Sequence, residues 1–173
     1  MVGQPEWHPS GDYIVFQAVD PALRGLEITG KLVQGILTSP GAGLQNNLWL
    51  GRTDGSAAWQ LTHIPDRGGI LHPHFSPDGK TLVWSEHLPK APGRMENHWV
   101  IRMANLNLSP TPRLENIRTI RPDNAIFYEA HSFSPEGSKL LFCAASDKEN
   151  LFTLDLFVLD FTNHEASTFD TEQ

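Results

Sequence analysis

The sequence predicts an all-β fold assembled from three copies of one antiparallel sheet, and three observations carry that prediction. A hairpin phrase occurs three times, as PEWHPSGDYIVFQA, PHFSPDGKTLVWSE and HSFSPEGSKLLFCA. Each copy sets an aromatic residue (Trp7, Phe75, Phe133) two positions before a proline (Pro9, Pro77, Pro135) and a glycine two positions after it (Gly11, Gly79, Gly137). Each copy then runs into a short apolar stretch, at 13–16, 82–84 and 140–142. A recurring unit means an array of equivalent structures, so function is sought on the surface that the units share.

The turn chemistry comes first. Proline presets φ for the first central turn position, Asp, Glu or Ser tolerates the second, and glycine supplies the left-handed residue that re-enters the next strand. A tight hairpin follows in each copy. The apolar runs are continuous rather than alternating, which predicts sheets covered on both faces. The prolines stand 68 and 58 residues apart, longer than the roughly 40 to 50 residues of the commoner propeller repeats, so insertions are expected. They fall at 20–47 and 88–97. A second strand pair follows the first hairpin at 48–52 and 58–61, around Thr53-Asp54-Gly55. The second unit continues with strands at 99–104 and 117–120, the third with strands at 154–161 and 167–170 around Thr162-Asn163. Four antiparallel strands per unit make a propeller blade. The prediction is a single domain over 1–173, a β-propeller segment of three four-stranded antiparallel blades at about 1–62, 63–121 and 122–173.

Three blades form an incomplete ring, because propellers close with roughly four to eight. Both end faces would expose apolar surface beyond what soluble monomers usually carry. Further propeller blades, or a second copy arranged head to tail to give six, are expected to cover them.

The segment SPDGKTLVWSE, preceded by HPHF and following NLWLGRTDGSAAWQLT, resembles the repeat of TolB-like β-propeller proteins, a WD40-like propeller repeat that also occurs in prolyl oligopeptidase-like peptidases. The resemblance runs through nearly the whole chain in three copies. The first copy departs from it with His8-Pro9-Ser10-Gly11, and the third lacks the Leu-Thr ending of the outer strand. The resemblance implies a non-catalytic module for protein or peptide binding and scaffolding. The alternative it implies is the propeller gate of a peptidase whose catalytic domain lies outside this chain. A periplasmic location follows only if the resemblance extends that far, since MVGQPEWHPSG has neither the basic region nor the apolar stretch of an export signal.

Composition narrows the partners. With 173 residues and 39% hydrophobic residues the chain can bury a sizeable core. A net charge of −7 opposes a nucleic-acid backbone, and Arg113, Arg118 and Arg121 are diluted by Glu115 and Asp123. No apolar run approaches membrane-spanning length. The single cysteine, Cys143, cannot form an internal disulfide and reads as a small buried hydrophobe.

Candidate chemistry gathers on the strand that precedes each turn, because innermost propeller strands line the central channel. Glu6, His72, His74, Glu129 and His131 lie there. Of these, Glu6, His74 and His131 are the candidates to converge on one divalent metal, since zinc accepts His and Glu ligands. Solvated or hydrogen-bonded channel histidines are the plainer alternative, with no cofactor. A nucleophile is not in sight: no Gly-x-Ser-x-Gly elbow occurs. Asp78-Gly79-Lys80-Thr81 lacks the first glycine of a phosphate loop and is a turn. Asp155 and Asp160, five residues apart on a strand, point to opposite faces. Trp49, Trp59, Trp84 and Trp99 sit in strands and are assigned to packing. The chain is therefore expected not to be an enzyme.

Overall fold

A computed structural model describes residues 2–19, 43–64, 68–88, 98–122, 125, 127–145, 154–162 and 169–170. Most of the two predicted insertions, at 20–42 and 89–97, lies outside the described residues. Among the described residues there are twelve strands: β1 Val2–Trp7, β2 Tyr13–Val19, β3 Asn46–Arg52, β4 Ala58–Gln60, β5 Gly69–Phe75, β6 Thr81–Leu88, β7 His98–Asn107, β8 Arg113–Ile120, β9 Phe127–Phe133, β10 Lys139–Ala145, β11 Asp155–Asp160 and β12 Phe169–Asp170. No helix among the described residues is long and apolar enough to cross a membrane.

The strands form three antiparallel sheets. The first runs β1-β2-β3-β4, the second β5-β6-β7-β8 with β12 added beyond β8, and the third β9-β10-β11. All three begin with the predicted hairpin. Gly11, Gly79 and Gly137 take φ of 78°, 71° and 77°, and the turn closes with the Gly79 N–H donating to the Ser76 carbonyl at 2.8 Å and the Ser76 N–H to the Thr81 carbonyl at 2.9 Å. Asp78 Oδ1 accepts from Ser76 Oγ at 2.6 Å and from the Lys80 N–H at 3.0 Å. These bonds hold its carboxyl below the usual range.

One expectation needs correction. Of the strand predicted at 167–170 as the fourth of the third blade, the described residues Phe169 and Asp170 form β12, which pairs with Ile120 and Thr119 on the neighbouring sheet. The third sheet thus has three strands among the described residues. The third copy lacks the Leu-Thr ending that closes the outer strand of the first.

Sheets stack in chain order, and each has an outgoing face toward the next and an incoming face toward the previous one. Between the first and second sheets Val15, Leu48 and Leu50 pack on Ile70, Phe75, Leu82 and Trp84. Between the second and third, Val83, Ile101 and Met103 pack on Tyr128, Ala130, Leu140 and Phe142. The continuous apolar run of β6 is explained here: Leu82 and Trp84 belong to one interface and Val83 to the other. Trp84 is fully buried, and its indole N–H donates to Glu86 Oε2 at 2.9 Å. Glu86 in turn pairs with buried Arg102 at 3.2 Å, and Arg102 also donates to Thr119. Trp49, Trp59 and Trp99 are half-buried.

The turns also touch. The Ser10 N–H donates to His8 Nδ1, which leaves the proton on Nε2 to donate to the Gly79 carbonyl of the next sheet at 3.1 Å. A Cβ at Gly79 would lie 2.3 Å from that imidazole, so glycine is required there by close approach as well as by φ.

Candidate functional site: a bulged channel wall

The opening strand of each sheet, β1, β5 and β9, lies beside its counterpart, with β5 in the middle. All three carry a β-bulge at the same place in the repeat. Pairing skips between Gly3 and Glu6 in β1 and between Leu71 and His74 in β5, and it leaves His131 unpaired between Ala130 and Ser132 in β9. In the first two the bulge holds a non-glycine residue at positive φ, Gln4 at 48° and His72 at 51°, each followed by proline. Proline has no N–H to give to a ladder, so an X-Pro pair inside a strand falls at a bulge or an edge. Backbone held in this region costs of order 1–3 kcal/mol per residue and is kept where the surroundings over-determine it.

A bulge frees backbone donors, and the preceding sheet satisfies them. The His72 N–H donates to Gln4 Oε1 at 2.8 Å, the Phe75 N–H to Glu6 Oε1 at 3.4 Å, and the Ala130 N–H to Ser85 Oγ at 2.9 Å. Side chains then extend the chain of contacts. His72 Nε2 lies 2.6 Å from Glu129 Oε1 of the third sheet and 2.9 Å from Gln4 Nε2 of the first. One ring nitrogen cannot serve both: with a proton it donates to Glu129, without one it accepts from Gln4. His74 Nδ1 approaches Glu6 Oε2 at 2.6 Å. The approach lacks hydrogen-bond angles, and His74 Nε2 is enclosed without a hydrogen-bond partner. The His72 and His74 rings stack at 6.5 Å, and His131 tilts against His72 at 6.0 Å.

The hydrogen bond from His72 holds the Glu129 carboxyl below its usual range, against an opposing effect of burial. Burial pushes the His131 imidazole down, with Glu129 opposing. His131 Nε2 lies 3.2 Å from Cys143 Sγ, and burial followed by the Glu129 charge pushes that thiol up. Both shifts favour a neutral thiol beside a neutral imidazole. An activated cysteine needs the opposite, a thiolate held by a cation.

The residues nominated from sequence are distributed as follows. Glu6 and His74 meet; His131 sits on the far side of His72, beside Cys143. Among the described residues no group of three or more His, Cys, Asp or Glu side chains is gathered to hold a metal ion. His72 and Glu129 join each other across two sheets. Sequence reasoning passed over Gln4, whose amide starts the chain of contacts. Its signal was the proline that follows it inside a strand, repeated at His72-Pro73.

Three stacked antiparallel sheets with bulged first strands around a common axis define a partial β-propeller. Solved structures resemble it, among them these two. TolB from Acinetobacter baumannii superposes with a TM-score of 0.55 at 17% identity, over 94% of this chain and 30% of that one. An oligogalacturonate lyase in complex with manganese superposes with a TM-score of 0.51 at 19% identity, over 99% of this chain and 36% of that one. The chain has a TolB-like propeller fold, and it spans about a third of the length of these structures. No protein-family model and no curated protein matches the sequence.

Proposed function

We propose that the chain is a non-catalytic TolB-like propeller module that binds a protein or peptide at the channel wall formed by β1, β5 and β9. The observation that carries this reading is the polar run Gln4–His72–Glu129, which crosses all three sheets on bulged strands and holds Gln4 and His72 at positive φ. Strain and bulges concentrate where side chains are aimed at a ligand. The run offers an amide, an imidazole and a carboxylate side by side, a set that suits the amides and basic side chains of an extended peptide. Glu6 and Glu129, with a chain net charge of −7, favour a segment that carries Lys or Arg.

The test is affinity selection of a displayed random-peptide library on the immobilised chain, with the His72→Ala and Glu129→Ala variants as controls. Selected peptides should be basic and should lose at least about tenfold in affinity on either variant. Peptides that bind the variants equally well would place recognition elsewhere.

One observation favours a second reading. Glu6 and His74 sit in close approach with an unpartnered imidazole nitrogen between sheets, and one structural neighbour carries manganese. In this reading Glu6, His74 and His131 hold a divalent cation, with His131 turning away from Cys143 to complete the set. Elemental analysis after incubation with manganese or zinc decides it: less than about one-tenth equivalent bound ends this reading.

A further inference from the structure

The repeat supplies an internal standard for every surface residue, because each position can be compared with its equivalents in the other two sheets. On the outgoing face the strand pairings place Val15 opposite Leu50, Val83 opposite Met103 and Leu141 opposite Val158. One step along, Gln17 faces Leu48, Ser85 faces Ile101 and Cys143 faces Leu156. In the first and second sheets every member of these pairs is at most 5% exposed, beneath the next sheet. In the third, Leu156 is 64% and Val158 61% exposed.

The incoming face shows the mirror pattern. Ile70 and Tyr128 are fully buried against the preceding sheet, and Phe75 is 5% exposed. Their equivalents in the first sheet, Val2 and Trp7, are 60% and 66% exposed. Among the described residues six large hydrophobic side chains are exposed, and Val2, Trp7, Leu154, Leu156 and Val158 account for all but Ile117. Apart from Ile117 on β8, the exposed large hydrophobic side chains among the described residues therefore lie at the two ends of the stack. Each end is one half of a contact that the molecule already makes twice.

We propose that a second copy of this chain covers these ends, with Val2 and Trp7 of each copy seated on Leu141, Leu156 and Val158 of the other. The contact repeats, position for position, the two internal interfaces, in which Ile70 and Phe75 lie on Val15, Leu48 and Leu50. Three sheets fill half of a six-bladed ring, a size within the roughly four-to-eight range in which propellers close. Two copies related by a twofold rotation therefore form two equal head-to-tail junctions and leave no open face. A heterologous contact of this kind closes because the rotation closes.

The experiment is sedimentation and native mass measurement of the whole chain across the micromolar range, where the complex should have twice the 19.3 kDa of one copy. Leu156→Asp with Val158→Asp alters only the outgoing end, and Val2→Asp with Trp7→Asp only the incoming end. Each change sits at an exposed position, and a thermal melt verifies that the variants fold. Each variant alone should dimerise at least about tenfold more weakly. An equal mixture of the two retains one intact junction and should form a mixed dimer that neither variant forms by itself. A wild-type chain that stays monomeric would assign these faces to further blades on a longer polypeptide and overturn the proposal. Dimers that survive both double substitutions, or variants that fail to pair when mixed, would overturn the head-to-tail arrangement.

Discussion

The middle sheet and the third sheet are built from the same phrase, yet they differ in what covers them. Val83 and Met103 are buried under the third sheet, while Leu141 is only half-buried and Val158 stands exposed at the same repeat positions. Side-chain chemistry is nearly constant between the pairs. Burial in this array is set by the neighbour and not by the residue, as expected when each repeat contacts only those beside it.

The sharpest way to break this comparison is to remove a large ring from the middle sheet. Trp84→Ala should cost about 3–5 kcal/mol in chemical denaturation, because it empties an interface and strands Glu86 without its indole donor. Arg102→Ala comes next, at about 3 kcal/mol, since it leaves the buried Glu86 carboxylate unpaired. The turns permit a matched pair. Gly79→Ala must drive a Cβ into His8 at a φ of +71°, whereas a Cβ at Gly11 meets nothing within 4 Å at a φ of +78°. The left-handed backbone costs both about 1–2 kcal/mol, so the excess for Gly79→Ala in thermal melts measures the contact between turns. Equal losses would mean that His8 swings aside at no cost.

Acid should act on the third sheet through two titrating groups of β9. His131 is depressed below its usual 6.5 and Glu129 below its usual 4.5. In both cases the unfolded chain takes up its proton first, so both contributions are complete at neutral pH and are lost on acidification. The melting temperature should begin to fall below pH 6.5 through His131 and fall again below pH 4.5 through Glu129. Glu129→Gln should reduce the second decline and, because the Glu129 charge opposes the depression of His131, deepen the first. The smallest effect belongs to the open end: Leu156→Ala in the isolated chain should change stability by less than about 0.5 kcal/mol. A larger loss at concentrations where the chain associates would report the dimer instead.

Much of this architecture was readable before any coordinates. The three turns were legible because Pro and Gly constrain φ locally and need no tertiary context. The coverage of both faces of β6 was legible because LVW has no polar break. The destination of β12 was not, since the outer edge of either sheet can accept a strand and the third copy carries no Leu-Thr ending to assign it. At the channel wall, Glu6, His72, His74, Glu129 and His131 were singled out by placement on the opening strands, but their pairing was not. Parity along a regular strand puts His72 and His74 on one face. The bulge at His72 breaks that parity, and only the fold shows that the rings still stack while facing different carboxylates. Gln4 escaped notice because an uncharged amide announces nothing by composition.

The prolines that follow Gln4 and His72 carry one more consequence. A strand slips past its neighbour by exchanging one set of ladder bonds for the next, and a ring that offers no N–H, next to a residue locked at positive φ, has no second set to adopt. The inner wall is thereby indexed on two of its strands: the amide of Gln4 and the imidazole of His72 keep fixed heights even if the outer strands breathe. Whatever enters meets groups whose ordering entropy was spent during folding, so discrimination there rests on the match of shape and charge rather than on the wall adjusting to its guest.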